Sequence, residues 1–132
     1  LGDILLGPLL KINNIGLNYY KMMDNNEALE YYLEAYSLAI KELDASYEMT
    51  SLNNIAVLYS EENNLKKAIE YFQKAYNLAE LPKDKLKKGI YAINLAQAYI
   101  DKNEFQIAKT YNDEALRLLQ EEPDYLIEAL AV

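Results

Sequence analysis

The sequence predicts an all-α fold, a right-handed α-solenoid of three helical hairpins followed by a partial seventh helix. Three observations carry that reading. The first is a self-match at an offset of 40 residues: Asn14-Ile15-Gly16 with Tyr19, Asn54-Ile55-Ala56 with Tyr59, and Asn94-Leu95-Ala96 with Tyr99 are one phrase written three times. Nine residues after each tyrosine stands Ala28, Ala68 or Ala108, and seven further on stands Ala35, Ala75 or Ala115. A fixed period of this size marks stacked supersecondary units, which bury their apolar faces against one another. The second is apolar recurrence at spacings of three and four, as in Ile12, Ile15, Tyr19 and Met22, then Leu52, Ile55 and Tyr59, then Ala92, Leu95 and Tyr99. That is the period of an amphipathic helix. The third is the scarcity of helix breakers, four glycines and three prolines in 132 residues.

The elements follow in order. A first helix over about 6–22 contains the first phrase, and Met23-Asp24-Asn25-Asn26 interrupts it. A second runs over about 27–43, with Asp24 and Glu27 at capping-box spacing. Asp44 caps a third over about 45–61, and Glu62-Asn63-Asn64 breaks it from a fourth over about 65–80. Asp84 opens a fifth over about 84–101. Lys102-Asn103 leads into a sixth over about 104–121, with Asn103 and Gln106 again at capping-box spacing. Asp124 opens the partial helix over 124–132. Asp44, Asp84 and Asp124 sit 40 residues apart, where a carboxylate accepts from the first-turn amides and suits the positive helix end. Pro82 and Pro123 precede two of these caps and help stop the helix before. The whole of 1–132 is thus one domain, with repeats at about 6–43, 45–80 and 84–121. It begins at Leu1 and its pattern breaks off at Val132, which reads as a fragment of a longer protein.

Composition narrows the function. Hydrophobic residues make up 52% of the chain, enough for a sizeable core, yet no apolar run is long enough to span a membrane. Leu1–Pro8 is apolar but lacks a basic flank, so it is a poor signal peptide. The formal charge of -8 argues against nucleic acid and anionic membranes, and favours a neutral to basic protein or peptide partner. The absence of cysteine fits a cytoplasmic protein. With no histidine, the usual acid–base catalyst and the commonest metal ligand are both missing. No glycine-rich phosphate loop occurs, and no serine or threonine has a histidine base. The expectation is a non-enzymatic chain with no catalytic residues, no metal and no cofactor.

The repeated positions resemble the tetratricopeptide repeat. The small residues of the first helices are Gly16, Ala56 and Ala96, with Ile12, Leu52 and Ala92 four positions earlier and Tyr19, Tyr59 and Tyr99 after them. The second helices carry Ala28, Tyr32 and Ala35, then Ala68, Phe72 and Ala75, then Ala108, Asn112 and Ala115. Small residues admit close helix approach and aromatics fill the wedge between hairpins. The period of 40 exceeds the usual 34 of this repeat, so the helices are longer by about a turn each, the consensus tryptophan is absent, and Asn112 stands where an aromatic is expected. This longer version looks like the repeats of kinesin light chains and of bacterial sensory or regulatory proteins. The resemblance implies that first helices line a concave groove. It also implies that an asparagine just before the small residue binds the backbone of an extended peptide, here Asn14, Asn54 and Asn94.

A carboxamide has one acceptor and two donors, so it can pair with both the N–H and C=O of a peptide unit. On the same stripe follow Leu17 and Lys21, Val57 and Glu61, and Gln97 and Asp101, with Asn13 and Asn53 as polar neighbours. Tyr20 has no counterpart, since Ser60 and Ile100 replace it, and it is a candidate groove anchor. Glu61 and Asp101, if they bind, favour a basic side chain. The competing reading is structural: the asparagines hydrogen-bond neighbouring helix ends or simply face water. Two further function classes stay open, the sensory or regulatory part of a bacterial signalling protein, and an assembly module self-associating through Leu126, Ile127 and Leu130 at the truncated C-terminal end.

Overall fold

A computed structural model describes residues 2–80 and 84–120, with side chains from Gly7 onward. Six helices follow one another: α1 (Gly2–Lys21), α2 (Asn25–Lys41), α3 (Ala45–Glu61), α4 (Leu65–Leu78), α5 (Lys85–Asp101) and α6 (Phe105–Leu119). No strand occurs among the described residues. Each helix packs on the next, α1 on α2, α2 on α3 and so on to α6, which is the sequential stacking of a right-handed α-solenoid. The expected partial helix 124–132, with Asp124, Pro123 and the apolar end Leu126, Ile127 and Leu130, lies outside the described residues, as does Pro82. Helix α1 begins at Gly2, earlier than the spacing predicts, and passes through Pro8, which lacks one intrahelical N–H.

The turns share one construction. Met23, Leu43, Asn63 and Asn103 have φ of 62°, 55°, 61° and 64°, the left-handed region. The following residue then caps the next helix: the carboxylate of Asp24 accepts from the Glu27 amide, Asp44 from Tyr47, and the Asn64 carboxamide oxygen from Lys67. Asp84 does the same for Lys87. The cap's own amide reaches back five residues, as from Asp24 to Tyr19 and from Asn64 to Tyr59, closing a Schellman turn. One expectation needs correction here. Asn103 is not a cap: it takes the left-handed position, and Glu104 is the N-cap, with no side-chain bond to the helix. Asn63-Asn64 supplies both jobs from two asparagines, whereas the Asn103-Glu104 pair gives its only asparagine to the turn.

The core is built between hairpins. Ala28 and Tyr32 of the first hairpin enclose Ile55 and Leu58 of the second. Ala68 and Phe72 enclose Leu95 and Ala98 in the same way. The small positions are there for contact. A Cβ added at Gly16 would stand 2.8 Å from the Tyr32 ring and 3.2 Å from the Tyr31 Cβ. Each hairpin also clasps itself through a tyrosine pair. Tyr19 stacks on Tyr31, Tyr59 on Tyr71 and Tyr99 on Tyr111, with centroids 5.5, 5.6 and 5.8 Å apart. Asn112 is exposed, yet the third hairpin keeps its aromatic clasp because Tyr111 is the phase-equivalent of Tyr31 and Tyr71. Array ends behave differently. Ile15 is 39% exposed where Ile55 and Leu95 are sealed, because no described hairpin precedes α1.

Candidate functional site

Helices α1, α3 and α5 bring their repeated polar positions to one shared face. Residues three, four and seven apart lie on one side of a helix. Asn14, Leu17 and Lys21 therefore share a face of α1, Asn54, Val57 and Glu61 a face of α3, and Asn94, Gln97 and Asp101 a face of α5. Asn14 and Lys21 are exposed, and Asn13 and Leu17 are half-buried. Asn53, Asn54, Val57 and Asn94 are half-buried too, while Glu61, Gln97 and Asp101 stand in solvent.

The asparagines form a ladder. Asn54 donates from Nδ2 to Asn13 Oδ1 at 3.2 Å, and Asn94 donates to Asn53 Oδ1 at 2.8 Å. Each rung joins one repeat to the next, so Asn54 and Asn94 do have a structural task. Each still keeps its carbonyl oxygen and a second N–H, because one rung uses one donor. Two further bonds cross the same boundaries. Tyr20 donates to Glu61 at 2.5 Å, and the Lys87 ammonium donates to Ser46 Oγ at 2.6 Å. The Glu61 bond, then burial, then the Glu61 charge raise the Tyr20 phenol above its ordinary value. Tyr20 is thus half-buried and engaged with the next repeat.

Between the second and third repeats this face dips into a depression of about 220 Å³. Val57, Ser60 and Glu61 of α3 line one side, Asn94, Gln97 and Ala98 of α5 the other, and Phe72 of α4 also contributes. Four of the twelve residues singled out from the sequence meet here: Val57, Glu61, Asn94 and Gln97. Gln97 in turn donates to Asp101 at 3.0 Å. Ser60, Phe72 and Ala98 were not singled out as lining residues. Ser60 could have been, since a serine where the first repeat carries Tyr20 leaves room for a ligand. Among the described residues no group of three or more His, Cys, Asp or Glu side chains could hold a metal ion. No described helix is long and apolar enough to cross a membrane.

A tetratricopeptide repeat family model matches residues 9–81. The chain belongs to the tetratricopeptide repeat family. No curated protein matches it. Solved structures share the fold at low identity. BtubC (BKLC) from P. vanneervenii has a TM-score of 0.80 at 21% identity, over 87% of this chain and 48% of that one. The TPR domain of Arabidopsis FLU has a TM-score of 0.78 at 14% identity, over 86% of this chain and 95% of that one. Aspartyl phosphate phosphatase F from Bacillus subtilis has a TM-score of 0.83 at 20% identity, over 89% of this chain and 31% of that one. This chain thus spans about half the length of the first of these and a third of the last. Tetratricopeptide repeats are generally protein–protein interaction modules.

Proposed function

We infer that this chain holds an extended peptide, or one face of a partner helix, in a concave groove formed by α1, α3 and α5. The observation that supports this most directly is the asparagine ladder opening onto a depression. Carboxamides with spare donor and acceptor capacity stand at even spacing beside apolar ground at Val57, Phe72 and Ala98. Carboxamides that pair with backbone give sequence-tolerant affinity, and the side-chain depression gives selectivity. A net charge of -8 favours neutral to basic partners over nucleic acid and anionic membrane, in a cytoplasmic setting. The test is isothermal titration of a peptide selected on the wild-type chain against Asn14→Ala, Asn54→Ala and Asn94→Ala. Asn14 makes no cross-repeat bond, so its variant separates ligand contact from rung loss. Unchanged affinity in all three folded variants sinks the groove reading.

A second reading is favoured by the match to 31% of a longer phosphatase chain. The repeats then form the sensory or regulatory part of a larger bacterial signalling protein. A reading frame that continues into a helix-turn-helix or kinase domain supports it, and one that does not removes it.

A further inference from the structure

The shared face is not uniform along its length, and its variation selects a ligand. Position 20 of the first repeat is tyrosine, and the equivalent position of the second is Ser60. The Tyr20 ring reaches over to Glu61, while Ser60 leaves space that contributes to the depression beside Asn94 and Gln97. The lining of this depression combines two chemistries. Val57 presents carbon, with the nearly sealed Phe72 and Ala98 at the floor, and Glu61 presents a carboxylate at the rim. Such a combination suits a long side chain with an apolar stem and a charged tip.

The charge at the rim is fixed in place and left unneutralised. Glu61 is held by the neutral Tyr20 phenol, and Asp101 by the neutral Gln97 carboxamide. Neither carboxylate has an ion-pair partner among the described residues, whereas Glu70, Glu80 and Glu114 are each paired with a lysine or arginine. Both acids also close their helices, where the C-terminal carbonyls add negative partial charge. The first repeat carries Lys21 at the same phase, so the negative region is confined to the second and third repeats.

We propose that the depression between α3 and α5 takes a lysine or arginine side chain of the bound peptide, its stem over Val57, Phe72 and Ala98 and its cation on Glu61. Asp101, tied to the depression through Gln97, adds to the attraction. This rests on the groove reading and specifies the residue that the groove selects.

The test uses the whole 132-residue chain, isotope-labelled. It is titrated with three acetylated, amidated alanine–serine heptapeptides that differ only at the central residue: lysine, norleucine or glutamate. Amide chemical shifts report both site and affinity. The lysine peptide is expected to move Ser60, Glu61 and Gln97 and to bind about fivefold or more tighter than the norleucine peptide. Glu61→Gln removes that preference, and so does Ser60→Tyr, which fills the depression with the residue native to the first repeat. Added salt narrows the difference between lysine and norleucine. Equal binding of all three peptides at Asn54 and Asn94 overturns the charge selection and leaves the groove reading standing. A lysine preference that survives in Glu61→Gln also overturns it. If no peptide moves any amide of the α1, α3 and α5 face, both readings fall.

Discussion

Two buried tyrosines make the fold sensitive to alkali, and the size of the effect follows from their environment. Tyr32 and Tyr91 are 2% and 5% exposed. Burial pushes the Tyr32 phenol from 10.0 up to about 12, with smaller contributions from Tyr20 and Glu61. Burial, then the Asp84 charge, pushes Tyr91 to the same value. The folded state therefore keeps both phenols neutral at pH values where the unfolded chain has released the protons. The stability this supplies is fully present below pH 10 and is lost as pH rises through 12. A two-unit rise corresponds to about 2.7 kcal/mol per group, of which about half is gone at pH 11. For the pair that is about 2.7 kcal/mol lost at pH 11, a large share of a typical domain stability of about 5–15 kcal/mol. Urea denaturation followed by circular dichroism at pH 8, 10 and 11 measures it. The variant Tyr32→Phe places at this site the ring that Phe72 supplies in the second hairpin, so packing is preserved. Its stability should fall less between pH 10 and pH 11 than that of the wild type, by about 1 kcal/mol. Identical slopes for wild type and Tyr32→Phe would refute the assignment, because the loss would then come from groups elsewhere.

Three other outcomes follow from the packing. Gly16→Ala drives a methyl to 2.8 Å from the Tyr32 ring, and overpacking of about 1–3 kcal/mol outweighs the gain in helix propensity of about 1 kcal/mol; thermal melting should show a drop of several degrees. Leu43 is 91% exposed with φ of 55°, so Leu43→Gly relieves left-handed strain without loss of packing and should raise the urea midpoint by the equivalent of about 0.5–1 kcal/mol. A double-mutant cycle of Asn53→Ala and Asn94→Ala should return a coupling of about 0.5–1.5 kcal/mol, and a coupling of zero would remove the rung between the second and third repeats.

Much of this architecture is legible in the chain because a repeat places equivalent residues in equivalent surroundings. Gly16, Ala56 and Ala96 are all buried, and so are Ala28, Ala68 and Ala108 of the second helices. What the period hides is whatever differs between copies. Ile15 and Ile55 are the same letter at the same phase, yet one is exposed and the other sealed, because the end of a stack is a tertiary fact. Tyr111 escapes notice beside Asn112, since matching the aromatic of the preceding units to the polar neighbour obscures the stacking residue one position before it.

The site shows the same division more sharply. An offset of 40 identifies residues in equivalent environments, but the side-chain bonds from one first helix to the next connect residues 41 apart: Asn13 with Asn54, Asn53 with Asn94, Tyr20 with Glu61, Ser46 with Lys87. One residue is a rotation of about 100° around a helix. Each first helix thus offers one flank to the repeat before it and the neighbouring flank to the repeat after it, and a rung needs one residue from each. An asparagine pair at 13–14 and again at 53–54 supplies both flanks. The third repeat has Ile93 beside Asn94, so it can receive the second repeat but presents no carboxamide to a fourth. Asn14, at the other end, has no earlier described helix to bond. The ladder therefore has a direction and two unlike ends, and Asn14, the exposed one of the three echoed asparagines, is the carboxamide left most open to solvent.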